Sequence, residues 1–174
     1  CCHPRLLKLD MPGVSTNLPS GKFDAFKDMV TDIIEEGHKV LVFSQFVQML
    51  QIIRSWLVIN ETPFAYLDGS SKDRFEQVDN FNNNPDIPIF LISLKAGGTG
   101  LNLTSADYVI HYDPWWNPAV ENQATDRTHR IGQTRQVFAY KMICQNTVEE
   151  KILKLQESKR DVAESIIPGQ DAWK

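Results

Sequence analysis

Short apolar runs alternate along this chain with longer amphipathic stretches, and that alternation restricts the fold more than any other feature. Lys39-Val40-Leu41-Val42-Phe43 is an apolar run bounded by polar residues, the signature of a strand buried on both faces. Pro63–Leu67, Ile87–Ser93, Tyr108–Tyr112 and Val137–Ile143 also read as strands, and Pro88 is tolerated because it stands near the start of its run. Between these runs the spacing is helical. Ser20 precedes Gly21-Lys22-Phe23-Asp24 as an N-cap, Phe23, Phe26, Val30, Ile33 and Ile34 follow on one face, and Gly37 ends the helix. Phe46, Met49, Leu50, Ile53 and Leu57 mark a second helix, and Lys72–Phe81 a third. Pro118–His129 is a fourth, with Pro in its first turn, and Thr147 caps a last helix reaching about Ile166. Strands alternating with helices of this length make right-handed βαβ units, so the expected class is α/β, a parallel sheet with helices on both faces. Ligands of such sheets sit at the carboxyl ends of the strands, which singles out the loops after Phe43, Leu67, Ser93 and Tyr112.

Composition excludes several alternatives. The 174 residues suffice for a full core, since a chain of ~150 residues buries roughly two-thirds of its unfolded surface. With 42% hydrophobic and 23% charged residues the chain is not globally disordered. The net charge of −4, from 18 Lys+Arg and 22 Asp+Glu, rules out a bulk basic nucleic-acid binder but leaves room for a local basic cleft. Three cysteines, an odd number, do not form a disulfide framework, and a reducing intracellular compartment is expected. No apolar run approaches the ~20 residues of a membrane helix and no secretory leader is read, so no membrane partner is expected. The chain opens at Cys1-Cys2-His3 without Met, as a piece of something larger would. Those three residues lack a second ligand pair, so no metal site is expected. His38 and His111 read as structural, and of the adjacent Trp115 and Trp116 one is expected in the core and one at a surface.

Two segments carry chemistry. Lys95-Ala96-Gly97-Gly98-Thr99-Gly100 follows the third strand, and its three Gly allow a backbone to approach an anion closely and turn N–H groups toward it. The same glycines also suit a tight turn with positive φ. This is not a Walker A loop, because no Gly-Lys-Ser/Thr ending is present. On the fourth helix Gln123, Arg127 and Arg130 fall at i, i+4 and i+7, on one face. A guanidinium fork there suits a transferring phosphoryl group, as an arginine finger does. On spacing alone, a solvated charged face with Glu121 and Asp126 as partners is the stronger account.

Longer motifs go further. Asp126–Gln133, DRTHRIGQ, resembles the last helicase motif of the Swi/Snf-type helicase-like ATPases, which include chromatin remodellers, recombination translocases and bacterial relatives. Gly37–Phe46, GHKVLVFSQF, resembles the fourth motif of that family, and Leu67–Ser70, LDGS, the segment after it. Ile92–Leu103, ISLKAGGTGLNL, resembles the fifth motif, and Asp113–Pro118, DPWWNP, the Trp-Asn-Pro element. Thr147–Leu153, TVEEKIL, is similar to the start of the helix that braces the second motor lobe, and CCHPRLL and SGKFDAF match the lead-in of that lobe. Leu94-Lys95 stands where many members have Thr-Arg. No Walker A loop and no Asp-Glu-x-x-His box occur in these residues, and both belong to the first lobe of the family.

The resemblance implies a RecA-like second lobe: a lead-in over 1–20, the lobe over 21–146, and a C-terminal bracing helix and tail over 147–174. It implies that Arg127 and Arg130 reach ATP held, with Mg2+, on the first RecA-like lobe, and that Gln123, Gly97, Gly98 and Gly100 line that nucleotide cleft. It implies that Ser44, Gln45, Lys95, Trp116 and Asn117 face double-stranded DNA. The function implied is that of a DNA-dependent ATPase that translocates on duplex DNA or remodels what is bound to it, nucleosomes or polymerase among them. The lobe by itself would be inactive. The implied location is the nucleus in a eukaryote and the cytoplasm or nucleoid in a bacterium. The alternatives are a non-catalytic lobe that binds DNA or a partner, and the lobe of a strand-separating helicase.

Overall fold

The computed structural model describes residues 3–6, 19–97, 101–125 and 136–166. Five strands form one sheet: β1 (Val40–Ser44), β2 (Phe64–Leu67), β3 (Ile89–Ser93), β4 (Tyr108–His111) and β5 (Phe138–Lys141). Their spatial order is β2-β3-β1-β4-β5 and every pair is parallel, with Val40 beside both Ile89 and Tyr108. Among the described residues six α-helices connect and flank them: α1 (Gly21–Glu35), α2 (Val47–Ile59), α3 (Arg74–Asn83), α4 (Leu94–Gly97), α5 (Pro118–Thr125) and α6 (Val148–Ile166). This is the expected α/β, RecA-like arrangement.

The central strands are buried on both faces, and successive side chains of β1 enter the two layers in turn. Leu41 and Phe43 join Phe81 of α3, Phe90, Ile92 and Val109 on one side. Val40 and Val42 join Phe26 and Val30 of α1, with Met49, Leu50 and Ile53 of α2, on the other. All five residues of β1, and all five of β3, are buried, which is why those stretches read as unbroken apolar runs.

Local chemistry sets the helix ends. Ser20 Oγ accepts the amide of Phe23, closing the cap expected there. At the other end of α1 Gly37 takes φ +80°, His38 N donates to Ile33 O and Gly37 N to Ile34 O, a Schellman motif. The end of α2 is built likewise, with Thr62 N donating to Leu57 O and Glu61 N to Val58 O, but Glu61 occupies the left-handed position at φ 52°. Thr147 Oγ1 accepts the amide of Glu149 at the start of α6. No described helix is long and apolar enough to cross a membrane.

Candidate functional site

The strand order fixes where a ligand crevice opens. The chain leaves β1 toward β2 at one edge and leaves β4 toward β5 at the other. The carboxyl ends of these adjacent strands therefore diverge, and the residues just beyond them, Gln45 and Asp113–Asn117, border the gap.

One buried carboxylate organises that border. Asp113, 1% exposed, follows β4 and accepts from the Ser44 hydroxyl and, at 2.9 Å, from the Gln45 amide. Burial holds the Asp113 carboxyl above the usual carboxylate range, and the bonds from Ser44 and Gln45 offset only part of that rise. Gln45 Nε2 donates to Pro114 O at 3.0 Å, so the Gln45 side chain is tied to the turn that carries Trp115 and Trp116. Ser44 itself is fully buried, and its hydroxyl also accepts the Phe46 amide at 3.1 Å. Its hydroxyl is thus occupied in shaping the turn, while Gln45 is half-buried and reaches the surface.

The two tryptophans part as adjacent side chains must. Trp115 packs on the core cluster under α3 and α4, whereas Trp116 is 50% exposed. Trp116, Phe46 and Val148 are all exposed apolar side chains, and together with Gln45 and Ile152 they line one cavity of about 390 Å3 between the starts of α2 and α6. Asn117 is exposed and its Oδ1 accepts the Ala119 amide at 3.1 Å, capping α5.

The loop after β3 begins with a helical turn. Leu94–Gly97 forms α4, with Ala96 buried and Lys95 exposed, and α4 lies against α5. That contact brings Gly97 and the helix bearing Gln123, which is exposed, to one region at the carboxyl edge. Gly98, Gly100, Arg127 and Arg130 lie outside the described residues.

A second buried carboxylate holds α5 in place. Glu121, a partner in the solvated-face alternative, is 0% exposed. Its Oε1 accepts the Trp115 amide at 2.6 Å and Gln156 Nε2 of α6 at 3.1 Å, and its Oε2 pairs with Lys141 Nζ of β5 at 2.5 Å. Gln156 Nε2 also donates to Trp115 O. A third anchor ties α6 to α1: Lys22 Nζ meets both oxygens of Glu149, at 2.9 and 2.7 Å, with both side chains under 5% exposed. Glu149 also accepts the Cys144 amide at 2.8 Å, and Lys22 lies 5.0 Å over the Tyr112 ring. Sequence reasoning passed over Asp113 as a separate site residue, Gln156 and the Lys22–Glu149 pair. The one available signal was an acid directly after a buried strand, since the other partners are distant in sequence.

At the opposite edge, His38 Nδ1 pairs with the buried Asp107 at 2.6 Å and so makes a structural contact. His3 is buried against Phe23 and accepts the Arg5 amide, and Cys1 and Cys2 lie outside the described residues.

Residues 21–132 match the family model described as the helicase conserved C-terminal domain. The chain belongs to that family. This helicase C-terminal domain is 44% identical over 152 residues to the chromatin-remodeling ATPase INO80 of Homo sapiens, a match covering 86% of this chain and 10% of that protein. It is 41% identical over 150 residues to the same-named protein of Candida albicans, covering 85% of this chain and 11% of that one. Among solved structures, the C-terminal part of the Fun30 ATPase domain superposes with a TM-score of 0.75 at 44% identity, covering 79% of this chain and 45% of that chain. The domain therefore spans about a tenth of the length of the curated relatives it matches.

Proposed function

We propose that this domain is the second motor lobe of an ATP-dependent translocase or remodeller of double-stranded DNA. The observation that carries the reading is the crevice between β1 and β4. Its border combines Gln45 and Trp116 with a helix, α5, that the Asp126–Gln133 motif follows in sequence. In this reading ATP, with Mg2+, is held by a first RecA-like lobe. Arg127 and Arg130 approach its γ-phosphate across the interface, and Gln123 with Gly97, Gly98 and Gly100 lines the cleft. A guanidinium fork meets the equatorial oxygens of a loose phosphoryl-transfer transition state, where charge is spread over three oxygens. The contact between α4 and α5 supports a shared cleft for the Gly loop and the Arg helix.

Gln45, Lys95, Trp116 and Asn117 would lie along the duplex backbone, and Ser44 acts through Gln45 by way of Asp113. Amide and ammonium contacts to phosphates set position without reading sequence, as a motor that steps along any sequence requires. Nucleosomal DNA is the substrate the remodelling relatives suggest, and the nucleus is the corresponding location.

The test is Arg130→Ala in the two-lobed protein. A finger stabilises charge that develops in the transition state, so its removal falls on kcat rather than on ATP affinity. The expected loss is at least ~10²-fold in DNA-saturated turnover. Arg135→Ala, off the Gln123–Arg127–Arg130 face, is the control. Equal and small effects of the two substitutions would leave only a solvated charged helix.

A further inference from the structure

Glu121 makes more contacts than anchoring a short helix requires. Three elements of different use meet at its carboxylate. Its own helix, α5, carries Gln123 and is followed in sequence by Arg127 and Arg130. Its Oε1 takes the backbone amide of Trp115, the residue immediately before the exposed Trp116 and Asn117. The same oxygen takes Gln156 of α6, and Gln156 closes the triangle by donating to the Trp115 carbonyl. Oε2 is held by Lys141 of β5. A charge this deep is costly unless it is paired, and here Oε1 is met by a turn and by α6 while Oε2 faces the Lys141 ammonium of a strand. Because its acceptors are shared, a displacement of the Trp115–Trp116 turn cannot leave Glu121 in place. Either the hydrogen bond to Trp115 is lost inside a dry site or α5 moves with the turn.

We infer that Glu121 is a positioning residue that couples engagement of duplex DNA at the Trp116–Asn117 turn to the placement of α5, so that DNA stimulation of ATP turnover passes through this carboxylate. The inference rests on the function proposed above. A rigid triangle of Glu121, Trp115 and Gln156 transmits a shift of the turn to α5 without requiring α5 to touch DNA.

The experiment measures ATP turnover of the two-lobed protein with and without saturating duplex DNA and reads the ratio of the two rates. Glu121→Gln keeps the shape and an acceptor for Trp115 but loses the charge that binds Lys141. The expected result is a fall of at least about tenfold in the stimulation ratio, with the unstimulated rate affected less than the stimulated one. A carboxylate that only holds the fold would lower both rates together and leave the ratio unchanged, and that outcome overturns the inference. Gln156→Met is the second variant, because it removes both hydrogen bonds from α6 while keeping bulk. It should lower the ratio in the same direction by a smaller factor, and an unchanged ratio in a folded Gln156→Met protein counts against the coupling even if Glu121→Gln does not fold. If the unsubstituted protein shows no DNA-stimulated turnover, the proposed function fails and the coupling with it. Normal stimulation in the unsubstituted protein and in both variants removes the coupling alone.

Discussion

His111 lies 1% exposed on β4 with its ring stacked on Phe43 at 5.5 Å. Burial lowers its pKa from the usual 6.5 to about 4; the Glu121 carboxylate opposes that shift and the Lys141 charge adds to it. An unfolded chain therefore takes up a proton near pH 6.5 that the folded chain refuses until about pH 4. Stability from this group is complete above pH 6.5 and is lost as pH falls through the window toward 4. Between pH 7 and pH 5 the loss should be about 2 kcal/mol. Urea unfolding at the two pH values checks it against His111→Phe, whose stability should fall less; equal falls in both proteins would refute the assignment. The sequence alone placed His111 as structural and split Trp115 from Trp116, because both judgements need only strand alternation and side-chain direction. Only the solvated-face alternative touched Glu121, and it set that carboxylate in water rather than in the interior. Helical spacing reveals neighbours at i+3 and i+4, whereas the groups that bury this carboxylate come from Lys141 and Gln156, on other elements.

Helix ends show the same limit one level up. Gly37 announced the end of α1, and the left-handed φ of +80° there has a residue suited to it. The end of α2 uses the same hydrogen-bond pattern with Glu61 in the left-handed position, so no residue in the sequence marked it. Opposite outcomes follow for two simple substitutions. Gly37→Ala meets no atom within 4 Å, so its cost is conformational, about 1 kcal/mol, while Glu61→Gly should stabilise by about 0.5 kcal/mol because the new freedom of the unfolded chain offsets part of the gain. Chemical denaturation of the two variants measures both, and shifts of the same sign would contradict the account. The four-residue α4 was invisible for a different reason: one turn is too short to show a period, and the glycines after it read as loop. The fifth strand was expected over Val137–Ile143 and spans Phe138–Lys141, all exposed, at the sheet edge beside a β4 of four residues. The buried central strands were legible because burial on both faces leaves a continuous apolar run, but Val137–Ile143 carries a similar run and its strand lies exposed at the edge, so the run marked the strand and not its burial.

For the molecule as a whole, charge and division of labour set what the domain can do by itself. With a net charge of −4 and few cationic groups near the crevice, it should bind duplex DNA weakly, without sequence preference and with strong salt dependence. Isotherms at several salt concentrations should give a log–log slope that drops by about 0.9 when Lys95→Ala removes one phosphate contact. Tight or salt-insensitive binding would contradict the proposed surface. The same preparation should not turn over ATP, since no Walker A loop occurs in the sequence. The Lys22–Glu149 anchor bears on the order in which the parts can come together. A chain made from its amino end has α1 and β1 in hand long before their partners. β1 waits for β3 and β4 on its two sides, and Lys22 waits 127 residues for its carboxylate. Until Glu149 has left the ribosome the ammonium of Lys22 has no such partner and stays in water. The contact that fastens the first helix to the last is thus beyond the reach of any nascent chain that ends before α6, and a synthesis stalled between β4 and α6 leaves the start of α1 unfastened.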